Sequence, residues 1–95
     1  MILHVEKAIY LSDYMIQVSF NNGRTGIADL ANILKGIFEP LKDKTLFSQF
    51  KTDKEINTVS WPNGADIAPE YLYFLAFRDE PELQEKFEKW GYATA

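Results

Sequence analysis

Cysteine is absent from this sequence. That excludes disulfide scaffolds, cysteine-based zinc sites and a thiol nucleophile. It also fits a reducing, cytoplasmic setting. Histidine occurs once, as His4. A nucleophile–base relay needs a base beside its nucleophile, and Ser12, Ser19, Ser48 and Ser60 stand in no nucleophile motif. A zinc site would have to combine His4 with carboxylates alone, an uncommon ligand set. His4 therefore reads as a strand surface residue. The five glycines form neither G-x-x-x-x-G-K-[ST] nor G-x-G-x-x-G, so no phosphate loop is present. These patterns assign no catalytic residue, no cofactor and no metal ligand. Apolar runs are short too, and none approaches the ~18–20 residues of a membrane span. The segment Met1 to Lys7 has neither the basic nor the apolar region of a signal peptide. The expectation is a cytoplasmic protein with no membrane partner.

An excess of basic charge is also missing. The formal net charge is −4. Lys42, Lys44, Lys51 and Lys54 come nearest to a cluster, and Glu39, Asp43, Asp53 and Glu55 are interleaved with them. Nucleic-acid binders usually neutralise phosphates with a basic face. On charge, nucleic acid is disfavoured as the main partner, and a weak contact through the Lys42–Lys54 region is the residual form of that idea.

What the chain does have is large apolar side chains. Of its 95 residues, 46% are hydrophobic and 15% aromatic, with seven Phe, five Tyr and two Trp. That suits one packed domain. A domain of this size buries a smaller fraction of its surface than a larger one, so pairing with another chain, as a homodimer or with a small companion protein, is expected.

Hydrophobic periodicity places the elements. Tyr14, Ile16, Val18 and Phe20 alternate with Met15, Gln17, Ser19 and Asn21, the period of a strand with one buried face. Asn22-Gly23 is a strong hairpin signal. A two-residue loop there pairs Phe20 with Thr25 and Val18 with Ile27. Leu3 to Leu11 forms a preceding strand, and a turn at Ser12-Asp13 pairs Ile9 with Ile16 and Val5 with Phe20. Asp29 and Asp43 are candidate N-caps of two short helices. A second hairpin runs from Phe50 to Trp61 and turns at Asp53-Lys54-Glu55. Pro69 suits the first position of a helix. Asp79-Glu80-Pro81 opens a last helix, in which Leu83, Phe87 and Trp90 share one face. The fold class is α+β: a small antiparallel sheet of hairpins with short helices and a C-terminal amphipathic helix. Residues 1–78 are read as the α+β domain, and 79–95 as a helical extension packing on the same domain or on a dimer mate.

Several blocks resemble a bacterial family catalogued as domain of unknown function twenty-four forty-two. They are Phe20-Asn21-Asn22-Gly23, Gly26-Ile27-Ala28-Asp29-Leu30, and Gly36-Ile37-Phe38-Glu39-Pro40-Leu41 with Phe47. The most specific is Trp61-Pro62-Asn63-Gly64-Ala65-Asp66-Ile67-Ala68-Pro69-Glu70-Tyr71-Leu72-Tyr73. The resemblance covers roughly residues 1–75. It implies a small α+β domain and a regulatory setting. It also implies a small protein partner encoded nearby, in an arrangement like that of toxin–antitoxin pairs. It implies no activity, cofactor or catalytic residue. Residues 77–95 depart from the core pattern and are too few for a helix-turn-helix domain.

Two places are candidate sites. In the turn from Trp61 to Asp66, Asn63 and Gly64 can expose backbone groups, Asp66 supplies a carboxylate and Trp61 a stacking surface. The competing reading is a tight turn with Trp61 in the core, and each residue has an ordinary turn role. Asp66 and Glu70 could divide acid and base roles, although acidic residues in a first helical turn also serve the macrodipole. The stripe Leu83, Phe87, Trp90 could dock a partner or cover this domain's own core. Together these features point to a non-enzymatic protein-interaction or regulatory module, antitoxin-like in setting. The alternatives are a small-ligand binder or enzyme using carboxylates near Asp66 and Glu70, or a weak nucleic-acid binder.

Overall fold

The computed structural model describes residues 2–92; residues 93–95, the end of the C-terminal extension, lie outside it. Its architecture is α+β. Strands β1 (Val5–Ser12), β2 (Met15–Phe20) and β3 (Thr25–Asp29) form an antiparallel sheet in that order. A second sheet pairs β4 (Lys51–Asp53) with β5 (Thr58–Ser60). The helices are α1 (Lys44–Phe47), α2 (Pro69–Phe77) and α3 (Gln84–Trp90); two short 3-10 segments, Ala31–Ile33 and Gly36–Lys42, precede α1, and a third, Pro81–Leu83, leads into α3.

The alternation in β2 buries Ile16, Val18 and Phe20. The β2–β3 register, however, is one residue away from the two-residue-loop expectation. Val18 pairs with Gly26, Gln17 with Ile27 and Ser19 with Thr25. The loop has three residues, closed by Gly23 N–H donating to Phe20 C=O (3.1 Å) and Phe20 N–H donating to Arg24 C=O (2.9 Å). A type I′ turn needs positive φ at both central residues, and only Gly23 in this loop has it, at +86°. Because side chains alternate with period 2, the slip exchanges the faces of β3. Ala28 is buried, and Ile27 is turned out to 51% exposure.

The first hairpin keeps Val5 opposite Phe20 but shifts register between Val5 and Lys7 and again between Tyr10 and Ser12. Ile9 consequently pairs with Gln17 and not with Ile16. Asp43 is the N-cap of α1 as expected, whereas the N-cap position of the Ala31–Ile33 segment is Leu30 and Asp29 stands one residue before it. The Asp29 carboxylate accepts from Ala31 N–H (3.0 Å) and the Asp43 carboxylate from Thr45 N–H (2.9 Å).

Two aromatic clusters fill the interior. Phe47 collects Tyr10, Tyr14, Phe50 and Trp61 at centroid distances of 5.3–6.4 Å. On the other side Tyr73 collects Phe20, Phe77, Phe87 and Trp90 at 4.7–6.3 Å. Helix α2 lies between the sheet and α3 and buries Leu72, Tyr73, Leu75 and Phe77. Its closeness to the sheet rests on Gly26. A Cβ there would come within 2.6 Å of the Phe77 ring and 3.2 Å of Ala76 Cβ.

Arg24 fastens the same junction from outside. Its guanidinium donates to both Glu80 carboxylate oxygens and lies 4.4 Å from the Phe77 ring centroid. The hydrogen bond from Arg24, followed by one involving Glu82, holds the Glu80 carboxyl below the usual glutamate range, and desolvation opposes this.

Two predictions follow from this junction. Gly26→Ala is expected to destabilise the fold by about 1–3 kcal/mol through overpacking, although alanine otherwise suits a strand better than glycine. An unchanged urea midpoint would contradict the close approach. A carboxyl with a depressed folded-state pKa adds stability above its unfolded pKa and loses it as pH falls through the folded value. Glu80→Gln should therefore lower the melting temperature at pH 7 and converge with the parent in acid below the glutamate range. A gap that persists there would exclude the ion pair as its cause.

Candidate functional site

The chain after β5 doubles back through Trp61–Asp66. Trp61 N–H donates to Ala65 C=O (2.8 Å), and Gly64 N–H donates to Trp61 C=O (3.0 Å). Gly64 is left-handed at φ +89°. The returning segment runs antiparallel to β5, through a Ser60–Asp66 bridge and Ile67 N–H donating to Val59 C=O (3.2 Å). Asn63 serves two ends of this turn. Its amide oxygen accepts from Ala65 N–H (3.1 Å), and its NH2 donates to Ile37 C=O (3.1 Å), tying the turn to the Gly36–Lys42 segment.

Trp61 is 4% exposed. Its indole N–H donates to Phe47 C=O (2.8 Å), and its ring meets Phe38, Phe47 and Phe50 at 5.8–6.2 Å. Here the indole is a buried strut with its one polar atom satisfied.

Asp66 is exposed at the end of the turn. It shares a groove of about 550 Å³ with Gln49, Lys51, Asp53, Ile56 and Ser60. Glu70 does not line that groove. Its charge is felt instead by Tyr92, whose phenol is raised first by burial and then by Glu70. The structure thus does not bring these two carboxylates into one cavity. Among the described residues, no three His, Asp or Glu side chains are grouped to hold a metal ion.

In the C-terminal stripe, Phe87 is fully buried and Leu83 and Trp90 partly so. Phe87 meets Phe74 edge-on at 5.1 Å and lies 6.3 Å from Tyr73. Around this stripe a half-buried aromatic surface continues through Phe74, Trp90 and Tyr92, with Tyr92 at 5.5 Å from Phe74 and 6.3 Å from Trp90. Arg78 lies 4.9 Å from the Phe74 ring and Lys86 5.6 Å from Trp90.

Sequence reading missed the outer face of the three-stranded sheet. Ile9 and Ile27 flank Gln17 in register, and Leu11 follows at the register shift between Tyr10 and Ser12. Their exposures are 41%, 51% and 42%. The signal was present in the loop: one left-handed glycine after Asn22 permits a three-residue turn. That turn carries Ile27 outward. No local pattern announced Arg24–Glu80, whose members are 56 positions apart.

Residues 5–78 match a family described as a protein of unknown function (DUF2442). The fold resembles a crystal structure from Nitrosomonas europaea ATCC 19718 named "Putative DNA Binding Protein", with a TM-score of 0.75 at 14% identity. The likeness covers 99% of this chain and 64% of that one, so this chain spans less than two thirds of its length. At such identity the likeness shows the fold. No curated protein matches the chain. This relative corrects the partner expectation drawn from charge, which disfavoured nucleic acid. Net charge is a whole-chain sum, and it leaves local cations such as Arg78 and Lys86, set over aromatic rings, out of account. As for membranes, no helix among the described residues is long and apolar enough to cross one.

If Trp61 is a strut, Trp61→Phe should cost about 1–3 kcal/mol by leaving the Phe47 carbonyl unpaired in the core. Asn63→Ala, at an exposed site, should cost less, about 0.5–1.5 kcal/mol. Urea denaturation orders the two, and an equal or larger loss at Asn63 would contradict this account of the turn.

Proposed function

The chain belongs to the family of proteins of unknown function DUF2442, and on that premise we propose that it is a non-enzymatic protein-interaction module of a regulatory system. The observation that carries this reading is the outer sheet face. Ile9 and Ile27, both more than 40% exposed, lie on either side of Gln17 across the strands, and Leu11, at the register shift near the end of β1, is exposed to a similar degree. Single exposed apolar residues are ordinary, but contiguous ones mark contact surfaces. Exchanging them for charge tests the idea, because it disturbs little inside the fold. An Ile9→Glu, Ile27→Glu variant should lose about 1 kcal/mol or less of stability. It should also release proteins that the parent chain retains from native cell extract and rebinds after purification. Retention of the same proteins by the variant would count against the reading.

A second reading rests on a different surface. The aromatic patch of Phe74, Trp90 and Tyr92, with Arg78 and Lys86 over its rings, has the chemistry of a base-stacking platform. The DNA-binding name of the Nitrosomonas europaea relative supports this reading at the level of the fold. Single-stranded oligothymidine should then quench tryptophan fluorescence in a salt-sensitive way. Unchanged emission at low salt would remove it.

A further inference from the structure

We propose that the free edge of β3, with the groove beside it, takes an extended peptide segment carrying basic side chains, which joins the sheet as a fourth strand. This rests on the protein-interaction reading and names its site and partner.

The ladder itself makes the edge. In an antiparallel pair, alternate residues direct both main-chain polar groups at the neighbouring strand. The bonds from Phe20 N–H to Arg24 C=O and from Leu30 N–H to Tyr14 C=O, both 2.9 Å, place the even-numbered residues of β3 in that role. Thr25, Ile27 and Asp29 therefore turn their N–H and C=O groups away from β2. Among the described residues, none of these groups has a hydrogen-bond partner. The opposite edge of the sheet differs, because Val5 N–H at the start of β1 donates to Asn57 C=O (2.9 Å) beside β5. Exposed edges are usually guarded by lysine, proline or a bulge. The segment Thr25–Asp29 has no lysine or proline, and its pairing with β2 is regular.

The surroundings of the edge specify the occupant. A groove of about 330 Å³ runs along it, lined by Ile27, Asp29, Ile33, Leu75, Phe77 and Asp79 among others. An added strand would send alternate side chains over the Ile9–Ile27 face and toward the last turn of α2, as strand addition requires. The charge in the groove is uneven. Arg24 takes up Glu80, and Arg78, which also lines the groove, lies over Phe74, so two carboxylates, Asp29 and Asp79, stand against one guanidinium. The carboxylates of Asp29 and Asp79 form no ion pair among the described residues. Lysine or arginine on the incoming strand would meet these carboxylates. Nucleic acid would bring like charge to them, and a second copy of this chain would add its own pair of carboxylates to the seam.

The test selects random dodecapeptides, displayed on phage, against the full chain and titrates the resynthesised winners into isotope-labelled protein. The expected winners combine basic with β-branched residues and slow hydrogen exchange at the Thr25, Ile27 and Asp29 amides. N-methylation of alternate peptide nitrogens should weaken binding by at least about tenfold, the effect of losing one or two hydrogen bonds. Thr25→Pro should weaken it similarly, since that N–H faces outward and serves no bond to β2. The methylated peptides carry the same test without any change to the protein. Winners that perturb Ile9 and Leu11 but leave the three edge amides unchanged would overturn the edge site and leave the interaction reading standing. Slowed exchange that rises with protein concentration alone would assign the edge to a second copy and overturn the peptide reading. Failure to enrich any peptide would overturn the edge proposal and, if the Glu variant also retains the parent's partners, the interaction reading with it.

Discussion

The pairing of β2 with β3 is the constraint on which the rest of the molecule depends. A three-residue loop ending in left-handed Gly23 sets the register, and the register sets the faces. Gly26 then points inward, where Phe77 lies closer than any Cβ would allow. Helix α2 can settle on the sheet only because of that gap. Ala28 enters the core, and Ile27 moves to the outer face and the free edge. A slip of one residue would bury Ile27, push a side-chain-free position outward and leave no place for Phe77.

The Trp61–Asp66 turn is the second fixed point, and it works through different physics. Its polar groups are largely spent on closing the turn and on tying it to two distant segments, through Asn63 to Ile37 and through Trp61 to Phe47. A turn of this kind holds the return from β5 to α2 and thereby sets where Pro69 starts the helix. Its surface contribution to the adjoining groove comes from Asp66. The aromatic content has a similar division. One cluster centres on Phe47 and the other on Tyr73, and α2 and α3 close the second without reference to the first.

Much of this was legible in the chain, for reasons that are local. Alternation from Tyr14 to Asn21 marks β2 because a half-buried strand must alternate. Asp43 marks α1 because its carboxylate satisfies a free N–H, and Pro69 marks α2. The family resemblance was legible in the sequence, and the match over residues 5–78 bears it out. The outer sheet face was not, because its position depends on loop length. Asn22-Gly23 allows two loops, and the choice between them rests on the packing of Gly26 against Phe77, 51 residues away. The ion pair of Arg24 with Glu80 was hidden for the same reason. Net charge is a poor guide to partners, because summing over the chain erases the placement of single cations over aromatic rings.

The β2–β3 register can be measured directly by interstrand Hα–Hα nuclear Overhauser effects, which are strong where opposed residues exchange no hydrogen bonds and their Cα atoms lie closest. The register found here predicts cross-peaks joining Ser19 to Thr25 and Gln17 to Ile27. Cross-peaks joining Phe20 to Thr25 and Val18 to Ile27 would mean a two-residue loop, an inward Ile27 and a different molecule from the one described.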